Sequence, residues 1–248
     1  MAPPLDPRVY TFPAIYASHG LAPTIDGVFL PKCPEAILAE LAANQSAGSP
    51  SPAPAPELLI GTVANEGMYW LFYALGLKNV EFRLENGTVP LPDAATLKAA
   101  NFNIYDLLTG KFMSEQNLDN IIHDIVRSSM ADAYEIKDTD SEVANSSAFM
   151  HRMDAISGDI EFTCGTQKFA QRIAQLPNTA VYAYNFVHKT RENGFPDWTG
   201  AMHGYQIDYI FGMPFSEQFK RDFYKYTEAE AGLSATVMAY WANFARTG

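Results

Sequence analysis

Basic side chains are scarce in this sequence: 17 lysines and arginines stand against 28 aspartates and glutamates, a formal net charge of −11 over 248 residues. That balance argues against a nucleic-acid partner, which needs clustered cations to meet phosphates. It serves ordinary solubility, and it can also steer a cationic small molecule. Cysteine is scarcer still, with two residues. Cys33 and Cys164 stand too far apart for metal-ligand spacing and leave one disulfide between them open. No zinc or redox motif occurs, so no metal and no cofactor is expected. No apolar run is long enough to span a bilayer; the longest, Met68 to Leu77, is interrupted by tyrosines. The opening Met1-Ala-Pro-Pro-Leu-Asp6 lacks the charged and apolar regions of a signal peptide, and no internal repeat is visible.

Hydrophobic residues, by contrast, make up 48% of the chain and aromatics 13%, enough for a buried core and too much for disorder. Three acceptor patterns for N-glycosylation occur, at Asn44-Gln-Ser46, Asn86-Gly-Thr88 and Asn145-Ser-Ser147. Together they lean toward a secreted or cell-surface location, which conflicts with the missing signal peptide. The expectation is a natural N-terminus upstream of Met1.

Along the chain, Thr24 to Pro31 reads as a turn at Asp26-Gly27 feeding a short strand. Pro34 to Ala43 has helix-forming composition behind an initial proline. Residues 44–56 form a low-complexity, proline-rich stretch read as a surface-loop insertion. Leu58 to Val63 is a compact strand, and Met68 to Leu77 a buried helix. Ser114 caps an amphipathic helix, and further helices cover roughly 140–155 and 163–176. Thr179 to Val187, β-branched and aromatic, reads as a strand buried on both faces. The last helix opens on the capping box Thr227-x-x-Glu230, with Leu233, Val237, Met238, Trp241, Phe244 and Ala245 expected on its core-facing side.

Two residues stand where chemistry is placed in parallel sheets, beyond the C-terminal ends of strands. Glu66, in Asn65-Glu66-Gly67, follows the first strand; His203, flanked by glycines, follows the second. A histidine there can move a proton near neutral pH. A carboxylate facing its Nδ1 would fix the tautomer and stabilise the imidazolium. His19, His123, His151 and His188 have no comparable setting and are assigned nothing. A nucleophile is missing from this arrangement: no Gly-x-Ser-x-Gly elbow and no glycine-rich oxyanion loop occurs in the chain.

Trp198-x-Gly200-x-x-His203-Gly204-Tyr205, followed by Phe211-Gly212-x-Pro214, resembles the histidine loop of the cholinesterase branch of the type-B carboxylesterase family. Tyr240-Trp241-Ala-Asn-Phe-Ala-Arg-Thr-Gly248 resembles that family's late helix. Asp26-Gly27-x-Phe29-Leu30-Pro31 and Gly61-x-x-x-Asn65-Glu66-Gly67 match two further segments, in family order. The resemblance implies an α/β class and the C-terminal part of an α/β-hydrolase fold: a mostly parallel sheet flanked by helices, here incomplete. By it, residues 1–248 are one portion of a single domain, and Glu66 and His203 are the acid and base of a catalytic triad. It implies hydrolysis of a small choline ester such as acetylcholine through an acyl-serine intermediate. Tyr69 would contact the quaternary ammonium, with Trp70 beside it; core packing is the alternative for both. The serine would lie in a missing N-terminal half of the same domain, leaving this chain inactive alone. The resemblance also places the disulfide partner of Cys164 beyond residue 248, and it leaves a homo-oligomer open. Where relatives line the acyl pocket with phenylalanines, this chain has Ala17 and His19. A non-catalytic adhesion protein of the neuroligin type and a general carboxylesterase are the alternative readings.

Overall fold

The structure is a computed structural model that describes residues 25–46, 57–69, 71, 96 and 146–248. The helix read from Ser114, the region 79–110 apart from residue 96, and Ala17, His19, Trp70, Asn86 and Asn145 all lie outside these residues. The chain divides into two compact units, one of Met1–Ala22 and Gly67–Gly158, the other of Pro23–Glu66 and Asp159–Gly248. Among the described residues the elements in chain order are α1 (Pro34–Ser46), β1 (Glu57–Val63), α2 (Ser146–Gly158), a π-helical turn (Asp159–Thr163), α3 (Cys164–Ala174), β2 (Ala180–Phe186), α4 (Tyr205–Ile210), α5 (Glu217–Asp222) and α6 (Glu228–Thr247), with 3₁₀ turns at Asp197–Thr199 and Met213–Phe215.

In the first unit, Met68, Tyr69 and Leu71 are helical. Met68 and Leu71 are buried, as are Met150, Met153 and Ile156 of α2. Gly67 makes this packing close: a Cβ there would lie 2.3 Å from the carbonyl oxygen of Asp154 and 2.7 Å from the amide of Gly158. Only a residue without a side chain fits.

The second unit is built on one parallel pair. β1 and β2 run side by side with Glu57 opposite Ala180 and Val63 opposite Phe186. Two apolar runs joined by a long connection give this parallel arrangement, and it brings both C-terminal ends to one edge. α3 packs against both strands, and α1 packs against α3. Gly61 meets Tyr184 at the pairing line, where a Cβ would fall 2.3 Å from the Tyr184 carbonyl oxygen. The Tyr184 ring in turn meets Trp241 of α6 edge-on at 4.9 Å. Val63, Phe186, Ala201, Tyr209 and Val237 form the buried core, each large side chain contributing about 1.5–3 kcal/mol by leaving water.

α6 begins as its sequence dictates. Thr227 accepts from the Glu230 amide, and the Glu230 carboxylate accepts from the Thr227 amide. Its buried side follows Glu230, Ser234 and Val237, with Leu233 and Trp241 half-buried beside them. Met238 and Ala245, expected on this side, are exposed, because each follows a stripe residue by one position and is turned about 100° away. Two other expectations are corrected. Residues 27–30 form bends and not a strand: the Asp26 carboxylate accepts from the amides of Val28 and Leu30, folding the segment back on itself. β2 is not buried on both faces, since Tyr182, Ala183 and Asn185 are exposed. Among the described residues β2 has a single strand neighbour.

Candidate active site

Past the end of the ladder the two chains stay together. The Ala64 amide donates to the Phe186 carbonyl at 2.9 Å, and the Asn65 amide to the Ala201 carbonyl at 3.0 Å. Asn65 and Met202 form an isolated parallel bridge. The Asn65 side chain strengthens it, its Oδ1 accepting from the Ala201 amide at 3.0 Å. Gly200 occupies φ 62° and ψ −153°, a conformation essentially restricted to glycine. A Cβ at this position would lie 2.0 Å from Asn65 Oδ1. The loop carrying His203 is thus clamped to the strand end that carries Glu66.

Glu66 is 6% exposed and its carboxylate is divided between two tasks. Oε1 accepts from the Val63 amide at 2.9 Å, tying the acid back to the last residue of β1. Oε2 lies 2.6 Å from His203 Nδ1. A carboxylate only accepts, so this contact puts a proton on Nδ1 and leaves Nε2 as the basic nitrogen. The His203 side chain keeps 33% of its surface exposed, enough for a reacting group to reach it. The arrangement is that of a histidine oriented by a buried acid, able to take a proton from a nucleophile and return it to a leaving group.

The structure therefore brings together Glu66 and His203, 137 positions apart in sequence. Tyr69, in the other unit, is half-buried in the first helical turn after Gly67. Trp198 lies in the 3₁₀ turn Asp197–Thr199 that precedes the histidine loop. Asn44 is exposed in the last turn of α1. Cys33 and Cys164 are exposed free thiols, not bonded to each other. His188 pairs with the buried Glu230 at 3.1 Å, a contact at the head of α6 and away from the dyad's own hydrogen bonds. Among the described residues no group of three or more His, Cys, Asp or Glu is gathered as a metal would require, and no helix is long and apolar enough to cross a membrane.

Two neighbours of the dyad carry no signal in the sequence. Asn65 reads as a strand-end turn residue, and its clamp on Ala201 is a tertiary contact. Phe162 sits in the π-helical turn, and its ring centroid is 4.5 Å from that of His203 with the planes 33° apart. Beside it, burial pushes the Glu161 carboxyl up from its usual 4.5 to about 7. The folded chain then holds a proton that the unfolded chain releases, so the resulting stability is present below about pH 4.5 and lost as pH rises toward 7. Glu161→Gln is expected to stabilise the chain by roughly 2 kcal/mol at pH 8 and by almost nothing at pH 4.5. Urea unfolding at the two pH values measures the difference; equal effects at both would remove the burial argument.

The chain is similar to known proteins over most of its length. The Carboxylesterase family profile matches residues 12–248. Acetylcholinesterase of Bungarus fasciatus is 32% identical over 226 residues, covering 91% of this chain and 31% of the relative. Acetylcholinesterase of Electrophorus electricus is 29% identical over 254 residues, covering 91% and 34%. Cholinesterase of Mus musculus is 36% identical over 96 residues, covering 39% and 15%. The chain thus spans about a third of the length of the first two relatives. The parallel pair with its flanking helices is part of an α/β-hydrolase fold, and the chain belongs to the carboxylesterase family.

Proposed function

We propose that this chain is the C-terminal portion of a serine ester hydrolase domain that cleaves choline esters, with Glu66 as the triad acid and His203 as the base. The observation that carries the reading is the 2.6 Å contact between a buried, backbone-anchored carboxylate and an accessible imidazole. In this reading the whole chain is one portion of a single domain, and the insertion read over residues 44–56 starts only after α1, which runs to Ser46. The nucleophile lies in an N-terminal half of the domain that this sequence does not contain, since no Gly-x-Ser-x-Gly elbow occurs here. The serine hydroxyl gives its proton to His203 Nε2 as it attacks the ester carbonyl. The same proton then goes to the departing choline oxygen, and water repeats the sequence on the acyl-enzyme. Glu66 holds the imidazole through both steps.

The choline ester is favoured by the relatives, which are named acetylcholinesterase and cholinesterase. Tyr69, with Trp70 next to it, supplies aromatic faces for the quaternary ammonium. The net charge of −11 draws such a cation toward the protein. Glycosylation at Asn44, Asn86 and Asn145 fits a secreted or cell-surface protein.

A fluorophosphonate probe and an acetylthiocholine assay test the proposal. The full-length protein is expected to be labelled on a serine outside residues 1–248 and to turn over substrate. Glu66→Gln is expected to lower kcat about 10⁴-fold with little change in KM. The 248-residue chain alone is expected to show neither labelling nor turnover. Turnover by the chain alone would place the nucleophile within it and sink the two-part reading. A full-length protein inert to the probe would make the fold a binding ectodomain of the adhesion class.

A further inference from the structure

We propose that Phe162 is a positioning residue for His203, a role that rests on the Glu66–His203 reading above. The hydrogen bond to Glu66 fixes one atom of the imidazole, Nδ1. Two side-chain torsions set where the ring lies and one hydrogen bond restrains them only in part; a small change in either would carry Nε2 away from any fixed nucleophile. A flat group packed against the ring adds a restraint that the hydrogen bond does not supply. Phe162 is that group, its centroid 4.5 Å from the imidazole and tilted by 33°.

The backbone explains how Phe162 comes to be there. Asp159–Thr163 is a π-helical turn between α2 and α3. A π turn holds an extra residue, so it advances the side chains that follow relative to a regular helix and re-aims those within it. α3 is held to β1 and β2 by packing, which fixes the base from which Phe162 projects. The ring has no hydrogen-bonding or titrating atom, so it takes no part in proton transfer and acts only through His203. When the imidazole is protonated during turnover, the same face offers a cation–π contact.

Histidine-selective NMR of the full-length protein tests this without an assay of turnover. His203 is assigned by its loss in His203→Gln. Its carbon-bound ring protons are expected to be shielded by the Phe162 ring, and its Nδ1 proton to appear at low field and vanish in Glu66→Gln. In Phe162→Leu that Nδ1 proton is expected to exchange with water at least about tenfold faster, and Phe162→Tyr to return the rate to within about twofold of wild type. An intact low-field proton whose exchange is unchanged in Phe162→Leu overturns the role of Phe162 and leaves the dyad standing. A wild-type spectrum without the low-field proton, or with one indifferent to Glu66→Gln, overturns the dyad and the present inference with it. Should Phe162→Leu fail to fold, unshielded His203 ring protons in the wild-type chain would still overturn the contact.

Discussion

Under the proposed function, His203→Ala in the full-length protein is expected to lower kcat on the order of 10⁵-fold or more, with KM changed only a few-fold. The size follows from the position of the imidazole. Only Nε2 of His203 faces away from Glu66 as an acceptor, and the serine hydroxyl is a poor nucleophile without a base. Removing the base of such a triad costs about as much as removing the nucleophile, because the members act as a unit. Substrate binding relies on other groups, which separates the two kinetic constants. Alanine also leaves a space shaped like the missing ring, between Glu66 and Phe162. Added imidazole is therefore expected to restore part of the rate in proportion to its concentration, and restoration should be weaker in the His203→Ala/Glu66→Gln double variant. A His203→Ala enzyme within tenfold of wild type would assign the base to another residue.

Gly200→Ala is expected to destabilise the second unit strongly. Its cost has two parts. The backbone at φ 62° and ψ −153° carries a penalty of about 1–3 kcal/mol for any L-residue with a side chain. The new Cβ would fall 2.0 Å from Asn65 Oδ1 and 2.6 Å from Asn65 Cγ, so Asn65 must leave and the Ala201 amide loses its acceptor. Losing that hydrogen bond adds about 1–3 kcal/mol. The sum is a loss of about 2–6 kcal/mol in urea unfolding, on the scale of a whole domain's net stability. Asn65→Ala combined with Gly200→Ala should cost less than the two single changes added, since both remove the same bond. A Gly200→Ala change below about 1 kcal/mol would mean that the loop has another conformation available.

Sequence reading succeeded where local chemistry and fold agree. β1 is legible because Leu58, Leu59 and Ile60 form an apolar run closed by Asn65 and Gly67, and α6 because Thr227 and Glu230 name its first turn. The meeting of Glu66, just past the first strand, and His203, on the loop after the second, follows from parallel pairing of those strands. The π turn at Asp159–Thr163 was not legible, because a slip in backbone hydrogen bonding leaves the residue pattern of a helix almost unchanged. Nor was the approach of Phe162, a half-buried ring in the gap between the helices read at roughly 140–155 and 163–176. Gly200 could be seen as a loop glycine, but the backbone angles that make glycine obligatory depend on Asn65, 135 positions away by its number. The composition of β2 suggests two buried faces; exposure is decided by neighbouring strands, which a strand's own sequence does not name.

The bridge between Asn65 and Met202 has a bearing on how the dyad comes into being. Bringing together two residues 137 positions apart costs roughly 4 kcal/mol of chain entropy beyond a constant, on a logarithmic loop law. Were the dyad to meet that cost by itself, one hydrogen bond would fall well short of it. The cost is met instead by the ladder from Glu57–Ala180 to Val63–Phe186, which the bridge extends to the threshold of the site. Once the strands have paired, Glu66 and His203 are neighbours already, and their contact orders only two side chains. The meeting of Glu66 and His203 is thus an outcome of strand pairing, and a lesion that unzips the far end of the ladder is expected to part them without touching either.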